Sequence, residues 1–204
     1  MRLYDADWAP NPRRVRIFLH EKYFDIERVN VDLKAGAHKT PEFASVNPLQ
    51  RLPVLELDDG TRISESVAIC RYIEEIRPDP PLFGRDPKEK ALVEMWNRRV
   101  EFGLMQSVGS AFRHLHPGMA VAEVPQISEW GEANKPKAIA FLHFLDRELG
   151  DRPFIAGEKY SIADITALVA YDFMRVAHLS CPEGCTNVLR WHAEVSARPS
   201  ASAQ

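Results

Sequence analysis

The sequence predicts an α/β N-terminal domain followed by an all-α helical bundle. Within residues 1–78, short segments with β propensity alternate with helical patterns. After residue 87 no convincing strand pattern occurs, and apolar residues recur at helical spacing. The proline-rich segment 79–86 breaks both patterns, because proline cannot continue a helix. We therefore expect domains at 1–78 and 87–204, joined by a linker at 79–86.

The composition is that of a globular protein. A chain of 204 residues, of which 45% are hydrophobic, is long enough for two small domains. The net charge of −3 is spread evenly, so we expect no nucleic-acid partner. No run approaches the roughly 20 apolar residues that cross a bilayer, and the N-terminus lacks the apolar segment of a secretory signal. We therefore expect a cytoplasmic protein without membrane association.

The N-terminal pattern begins as a strand, a helix and a strand. Residues 2–4 begin the first strand, residues 12–23 the helix and residues 28–31 the second strand. Val15 and Phe18 lie on one face of that helix. A strand–helix–strand unit of about 30 residues requires parallel strands with a right-handed crossover.

A hairpin and a further helix complete this domain. Residues 52–57 predict a strand, the Asp-Asp-Gly sequence at 58–60 a tight turn, and residues 61–64 the returning strand. A helix is predicted from about 65 to 77, with its isoleucines on one face. By analogy, this order of elements is that of a thioredoxin-like domain.

The C-terminal half predicts only helices. Apolar residues recur every four positions from Leu92 to Phe112, which indicates one long helix. Further helices are predicted at about 136–149, 162–177 and 186–196. The tail after Pro199 is rich in serine and alanine, and we expect it to fray.

The segment from Tyr160 to Ile165 predicts a helix N-terminus. Ser161 is the N-cap and Asp164 the third helical residue of a capping box, while Tyr160 and Ile165 form a hydrophobic staple. We expect a structural role, with loss of the cap costing about 1 kcal/mol.

The three cysteines are too few and too scattered for a disulfide framework, so we expect reduced thiols. Cys181 and Cys185 flank Pro-Glu-Gly and can form a close pair; without a nearby histidine or a second pair, we expect no metal site. Cys70 lies in a predicted helix, where core packing is expected. No cysteine precedes it, so the first domain offers no earlier protein thiol for redox chemistry.

The most informative stretch is NPLQRLPVLELDDGTRISES, residues 47–66. Pro53 opens a strand, and proline there marks an edge or a special peptide bond. A cis Leu52–Pro53 bond would turn the N–H and C=O of Leu52 outward, where an extended peptide can pair as an added strand. The alternative is an ordinary proline between a loop and a strand.

Glu65 and Ser66 open the helix that follows the hairpin. Free N–H groups and the Ser66 hydroxyl can bind a carboxylate, and Glu65 can bind an ammonium group. An amino-acid head group presents both charges. The alternative is that Ser64 caps this helix and Glu65 interacts with its dipole.

The pattern N-P-x-x-R-L-P-V-L followed by E-S resembles the glutathione site of the glutathione transferase superfamily, and the resemblance covers nearly the whole chain. It implies glutathione as co-substrate and no other cofactor. It also implies that Leu52, with Pro53, pairs with the cysteinyl backbone, and that Glu65 and Ser66 hold the γ-glutamyl group. Arg51 lies where the family often places a basic residue for the glycine carboxylate.

His38, in AGAHKTPEF, matches a histidine that theta-like members use for the same carboxylate. The alternative for His38 is a surface histidine without a ligand. Family members are usually homodimers, and the resemblance implies the same here.

A free thiol has a pKa of about 8.5, so catalysis at neutral pH requires stabilisation of the thiolate. Residues 8–15 resemble the active-site turn of the family, where many members place Ser, Thr, Cys or Tyr. This chain has Ala9 where a hydroxyl is expected.

Two prolines limit what this turn can donate. Pro10 and Pro12 lack N–H groups, which leaves those of Asn11 and Arg13. We predict that the Asn11 amide and the helix terminus stabilise the thiolate, aided by the positive field of residues 13–16. Asn11 as a helix cap is the alternative.

The chain resembles an atypical fungal and bacterial branch that lacks the usual Tyr, Ser or Cys. In that branch a histidine of the second domain positions a water that takes the thiol proton. His114 fits this role best and His116 next, since a pKa near 6.5 suits a base. A histidine interacting with a helix C-terminus is the alternative. Trp8, Phe112 and His116 are predicted to line the substrate pocket.

The leading functional prediction is conjugation of the glutathione thiolate to a small hydrophobic electrophile, a detoxification reaction. A second possibility is reduction of peroxides or disulfides by bound glutathione. The third is a binding or regulatory protein without catalysis, which the absence of a hydroxyl at Ala9 favours.

Overall fold

The computed structural model describes residues 1–203, which form two compact units. The first unit holds Met1–Pro81 together with the chain from Pro199 onward, and the second holds Leu82–Arg198. The division falls inside the predicted linker. Among the described residues, no helix combines the length and apolar character needed to cross a bilayer.

The first unit contains a four-stranded mixed sheet with three α-helices. In chain order the elements are β1 (Arg2–Asp5), α1 (Pro10–Glu21), β2 (Glu27–Asn30), α2 (Pro41–Val46), β3 (Val54–Glu56), β4 (Arg62–Ser64) and α3 (Ser66–Ile76). The strand order is β2-β1-β3-β4; β1 pairs parallel with β2, and the other pairs are antiparallel. The predicted thioredoxin-like fold is confirmed.

The core of this unit follows from the apolar periodicity. Leu3 of β1, Val15 and Phe18 of α1, and Ile69 and Ile73 of α3 are fully buried, and α1 contacts α3. Helix α2 was not predicted, because its six residues are too few to show a helical period. Thr40 is its N-cap residue, and the Thr40 hydroxyl accepts a hydrogen bond from the Phe43 N–H at 3.2 Å.

The C-terminal tail is ordered, so the prediction that it frays is wrong. Residues Pro199–Ser202 form a 3₁₀ turn, and Ser200 is buried with its hydroxyl donating to Glu21. The Arg13 guanidinium donates to the carbonyl of Ala201 at 3.1 Å. The tail was expected to fray because it has few apolar residues to pack. Polar contacts with α1 hold it in place instead.

The second unit is all-helical, as predicted. Its elements are α4 (Pro87–Val100), a π-helical turn (Glu101–Met105), α5 (Gln106–Leu115), α6 (Ser128–Glu148), α7 (Ile162–Phe173) and α8 (Thr186–Ser196). The helix predicted through Leu92 to Phe112 is thus divided by the π turn. A Cβ at Gly103 in that turn would lie 2.2 Å from the Phe141 ring, so this close approach requires glycine.

Helix α6 begins at Ser128, earlier than the predicted 136. Its first turns are polar and lack an apolar period, and Pro136 lies inside the helix rather than at its start. Proline in a helix interior removes one hydrogen bond, which is why the sequence favoured a later start.

The predicted capping box of α7 is present. The buried Asp164 carboxylate accepts from the N–H groups of Ile155 and Ser161 and from the indole of Trp191, each at 2.9 Å, and from the Ser161 hydroxyl at 3.1 Å. Burial raises the pKa of Asp164 to about 6, although these hydrogen bonds favour the ionised form.

Candidate functional site

The loop before β3 is braced by a side chain that the sequence analysis did not single out. The Asn47 amide donates to the Arg51 carbonyl at 2.9 Å, and its oxygen accepts from the Leu49 N–H at 3.1 Å. Asn47 is buried, so these bonds are shielded from water. The tendency of asparagine to bond the backbone two residues on is the signal that would have identified it.

Leu52 and Pro53 follow this loop and are joined by a cis peptide bond. They lie just before β3, whose registered pairing with β1 and β4 begins at Val54. The Leu52 side chain packs on the cluster that contains Val31 and Phe43. The main chain of Leu52 therefore lies outside the hydrogen-bonded pairs of β3. The segment is anchored on one side by the bond from Asn47 to Arg51 and on the other by the start of β3 at Val54.

The start of α3 has an unusual backbone. Glu65 has φ 68° and ψ 114°, a positive φ that non-glycine residues rarely adopt and that costs of order 1–3 kcal/mol. Glu65 is the N-cap residue and makes no side-chain cap, whereas Ser64 ends β4. The alternative in which Ser64 caps the helix is therefore wrong. The Glu65 side chain is exposed to solvent.

Ser66 is the first residue of α3 and is buried. Its hydroxyl oxygen accepts a hydrogen bond from Arg14 of α1 at 2.8 Å, which leaves the hydroxyl proton to donate elsewhere. Arg14 itself is buried. This bond orients the Ser66 hydroxyl and ties α3 to α1, and the sequence analysis gave Arg14 no separate role.

The start of α1 offers a single main-chain donor. Ala9 is the N-cap residue and Asn11 the second residue of the helix, so the alternative in which Asn11 caps α1 is wrong. The Arg13 N–H donates to the Ala9 carbonyl at 3.1 Å. Because Pro10 and Pro12 have no N–H, only the Asn11 N–H is left in this turn of the described chain without an intrahelical acceptor. The Asn11 side chain is exposed.

The positive charge expected from the arginines that follow is partly compensated by an acidic residue. Arg16 is buried and bonds Asp5 at 2.7 Å, and Arg28 bonds the other oxygen of Asp5 at 2.7 Å. Burial is the main cause that lowers the pKa of Arg16. The charge of Arg16 is thus compensated by Asp5, which weakens the predicted positive field of residues 13–16.

His38 lies in the 3₁₀ turn Ala37–Lys39. Its Nδ1 atom is buried and has no hydrogen-bond partner among residues 1–203. Burial, with a smaller effect of Lys39, lowers the pKa of His38, so the ring is neutral at pH 7. The Arg51 side chain is exposed, and Trp8, just before α1, is 55% exposed.

Cys70 is excluded as a nucleophile. It is fully buried in α3, and burial raises the pKa of its thiol far above the ordinary value. The expected role in core packing agrees with this environment.

In the second unit, both ring nitrogens of His114 face protein groups. Nδ1 accepts from the Ile127 N–H at 3.0 Å, and Nε2 lies 3.6 Å from a carboxylate oxygen of Glu123. Because Nδ1 accepts, the proton of the neutral ring is on Nε2. A base function of His114 therefore requires release of the Ile127 N–H.

His116 is held in a similar way, since its Nδ1 accepts from the Gly118 N–H at 3.0 Å. Its ring centroid lies 4.9 Å from that of Phe112, and the Phe112 centroid lies 5.0 Å from that of Phe173. Phe173 was not predicted as part of this aromatic group. Within the described residues, no cluster of three or more His, Cys, Asp or Glu side chains could hold a metal ion.

The fold is that of a thioredoxin-like domain followed by a helical bundle, and comparisons with known proteins identify the family. Residues 1–75 match the glutathione S-transferase N-terminal domain, and residues 118–199 match the C-terminal domain. The chain belongs to the glutathione S-transferase family, which uses glutathione as co-substrate.

Among its relatives, glutathione S-transferase 2 of Saccharomyces cerevisiae is 39% identical, over 98% of this chain and 87% of its own. Glutathione S-transferase F13 of Arabidopsis thaliana is 31% identical, over 98% and 92% of the two chains. Among solved structures, a glutathione S-transferase domain-containing protein of Marinobacter aquaeolei has a TM-score of 0.95 at 40% identity, covering 99% of this chain and 100% of its own. The structure of Gtt2 from Saccharomyces cerevisiae has a TM-score of 0.93 at 39% identity, covering 98% of each.

Proposed function

We propose that this protein is an enzyme that conjugates the thiolate of glutathione to a small hydrophobic electrophile. The observation that carries the proposal is the hydrogen bond from Arg14 to Ser66. It joins the start of α3, which suits the γ-glutamyl head of glutathione, to α1, whose first turn has one free donor at Asn11. A detoxification role, a homodimer and a cytoplasmic location are part of the same proposal.

The γ-glutamyl group is held at the start of α3. The Ser66 hydroxyl and the N–H groups of the first turn of α3 donate to its carboxylate, which the positive end of the helix also favours. The exposed Glu65 carboxylate accepts from its ammonium group. The backbone at Glu65 is held at φ 68° by the folded chain, which supports a ligand-binding role for this turn.

The rest of the tripeptide extends along β3. The Leu52 main chain pairs with the cysteinyl residue of glutathione, in the manner of an added strand next to Pro53. Arg51 supplies a positive charge for the glycine carboxylate. His38, neutral at pH 7, contributes a hydrogen bond rather than a charge.

The thiolate is stabilised at the start of α1. The N–H and side-chain amide of Asn11 donate to the sulfur, and the helix dipole favours its negative charge. The thiol proton passes to water, the sulfur forms a bond to the electrophilic carbon, and the leaving group departs with its electron pair. The geometry supports Asn11 more directly than His114, whose Nδ1 is already an acceptor for Ile127.

Phe112 and His116 are the aromatic residues of the second unit that we propose contact the electrophile. A half-buried ring pair such as Phe112 and His116 provides apolar surface with one polar edge. The identity of the electrophile depends on the shape of these surfaces.

A second candidate function is glutathione binding without turnover. The observation in its favour is Ala9, which occupies the N-cap of α1 and has no hydroxyl to offer the sulfur. An assay of the purified protein with a chlorodinitrobenzene, a hydroperoxide and a small disulfide, together with retention on immobilised glutathione, separates the possibilities. Turnover of the chlorodinitrobenzene supports the proposal, and turnover of only the other two supports a peroxidase or disulfide reductase. Retention without any turnover supports the binding protein.

A further inference from the structure

The second unit contains a pair of thiols that the proposed conjugation does not use. Cys181 and Cys185 are both free, and the two thiols are close enough that each affects the pKa of the other. The turn between them is closed by a bond from the Cys185 N–H to the Pro182 carbonyl at 3.0 Å. This turn keeps the two thiols near one another at the start of α8.

The two thiols differ in exposure and in partners. Cys185 is fully buried, and its sulfur lies 3.4 Å from Nδ1 of His143 in α6. Cys181 is partly exposed, its thiol donates to the Pro182 carbonyl at 3.7 Å, and the influence of Tyr171 on its pKa is to lower it. The His143 side chain is itself exposed, so a proton that it accepts can pass to solvent. One thiol is thus reachable from solvent, and the other lies beside a base.

Cys185 is also free to change its partner without loss of the helix start. It is the N-cap residue of α8 but makes no side-chain cap. The Asp146 carboxylate of α6 caps this helix instead, accepting from the N–H groups of Asn187 at 2.8 Å and Val188 at 3.0 Å. A shift of the Cys185 sulfur toward Cys181 therefore leaves the hydrogen bonds at the N-terminus of α8 in place.

We propose that Cys181 and Cys185 form a redox-active dithiol, in which Cys181 takes up glutathione from glutathione disulfide and Cys185 then closes an intramolecular disulfide. In the first step the Cys181 sulfur attacks one sulfur of glutathione disulfide, whose S–S bond breaks. The first glutathione leaves as a thiol carrying the proton from Cys181. In the second step His143 accepts the Cys185 proton, and the Cys185 sulfur attacks the Cys181 sulfur. The second glutathione leaves and takes up a proton. Two protein thiols are oxidised, and one glutathione disulfide is reduced to two glutathiones.

The environment of the pair explains why it rests in the thiol form. Burial raises the pKa of Cys181 to about 11 and also raises that of Cys185. Both groups are therefore protonated at pH 7, and the reaction depends on removal of their protons. The pair responds to a sustained excess of glutathione disulfide rather than to brief exposure. Cys181, Cys185 and His143 all lie in the second unit, and none of them takes part in the proposed conjugation. The inference therefore does not rest on that function.

The test is to expose the folded protein to excess glutathione disulfide, quench with acid, alkylate the remaining thiols after denaturation and measure the intact mass. The reduced protein takes three alkyl groups, one for each cysteine. We expect the oxidised protein to take one, on Cys70, with no glutathione attached. A Cys70→Ala variant, as the matched control, should lose the same two thiols. Retention of all three thiols by the wild-type protein would overturn the proposal.

Single variants separate the two steps. Cys185→Ser should retain one glutathione on Cys181, whereas Cys181→Ser should take up none, because Cys185 is buried. Circular dichroism verifies that each variant is folded, and Cys185→Ala replaces the serine variant if that one is not. Glutathione found on Cys185 by peptide mapping, or a disulfide between two chains, would contradict the assigned order. His143→Gln should slow closure about tenfold or more and leave glutathione uptake unchanged; an unchanged closure rate would remove His143 from the reaction.

Discussion

The guanidinium of Arg14 in α1 donates to the hydroxyl of Ser66 in α3 at 2.8 Å, and both side chains are buried. Ser66 thereby keeps its proton directed away from Arg14. This bond connects the two helices whose first turns we propose to bind the ends of the γ-glutamyl-cysteinyl unit.

Ser66→Ala should raise the KM for glutathione about tenfold or more. The change removes a hydrogen bond to a charged carboxylate, which is worth about 1.5–3 kcal/mol. Steady-state kinetics with varied glutathione measures it. Ser64→Ala, at the end of β4, is the matched control and should leave this KM within about twofold. Equal effects of the two variants would contradict the assignment of Ser66.

Arg14→Lys should also raise the KM for glutathione, because lysine cannot reproduce the geometry of the guanidinium. If Arg14 acts through Ser66, the double variant with Ser66→Ala should be no worse than Ser66→Ala alone. A double-mutant cycle on the KM measures this coupling. Additive effects would mean that Arg14 acts on glutathione independently of Ser66.

Asn11→Ala should lower kcat and move the pH–rate profile of conjugation to higher pH. The reason is that the side-chain amide no longer stabilises the thiolate, so the pKa of bound glutathione rises toward that of a free thiol. The dependence of kcat on pH measures the shift. Asn30→Ala, at the end of β2, serves as the control. An Asn11→Ala enzyme with the wild-type profile would exclude this residue from the mechanism.

His114→Ala should lower stability and leave the shape of the pH–rate profile unchanged. The ring anchors the Ile127 N–H through Nδ1, so its loss frees a backbone donor and removes no available base. Urea unfolding and the pH dependence of kcat/KM are the measurements. Loss of the limb of the profile that a base produces would instead establish the water-activating role predicted from the sequence.

Asp164→Ala should destabilise the protein by about 3 kcal/mol or more, whereas Ser161→Ala should cost about 1 kcal/mol. Asp164 accepts hydrogen bonds from three other residues in a buried site, and its loss leaves those donors unpaired. The Ser161 hydroxyl, by contrast, caps one N–H group of α7, that of Ala163. Urea unfolding of both variants measures the difference, and similar losses would contradict the central role of Asp164.

The sequence predicted the elements whose side chains form a regular apolar pattern. The helix containing Val15 and Phe18 was found in this way, as was α7 with its capping box at Ser161. The six-residue α2 and the π-helical turn at Glu101–Met105 were missed, because neither is long enough to show a period of its own.

The candidate site was predicted where a local motif marks it and missed where it depends on tertiary contacts. Leu52, Glu65 and Ser66 followed from the motif. The role of Arg14 depends on the packing of α1 against α3, which no local pattern records. The contact between His114 and the Ile127 N–H was missed for the same reason, because the two residues are 13 apart in sequence. This contact determines which ring nitrogen of neutral His114 carries the proton.

A crystal structure of the protein with glutathione bound would locate each part of the tripeptide relative to Leu52, Ser66 and Asn11. We predict that the γ-glutamyl carboxylate accepts from the Ser66 hydroxyl, that the cysteinyl main chain pairs with Leu52, and that the sulfur lies within hydrogen-bonding distance of the Asn11 N–H. A sulfur placed away from the start of α1, with Asn11 facing only solvent, would contradict it.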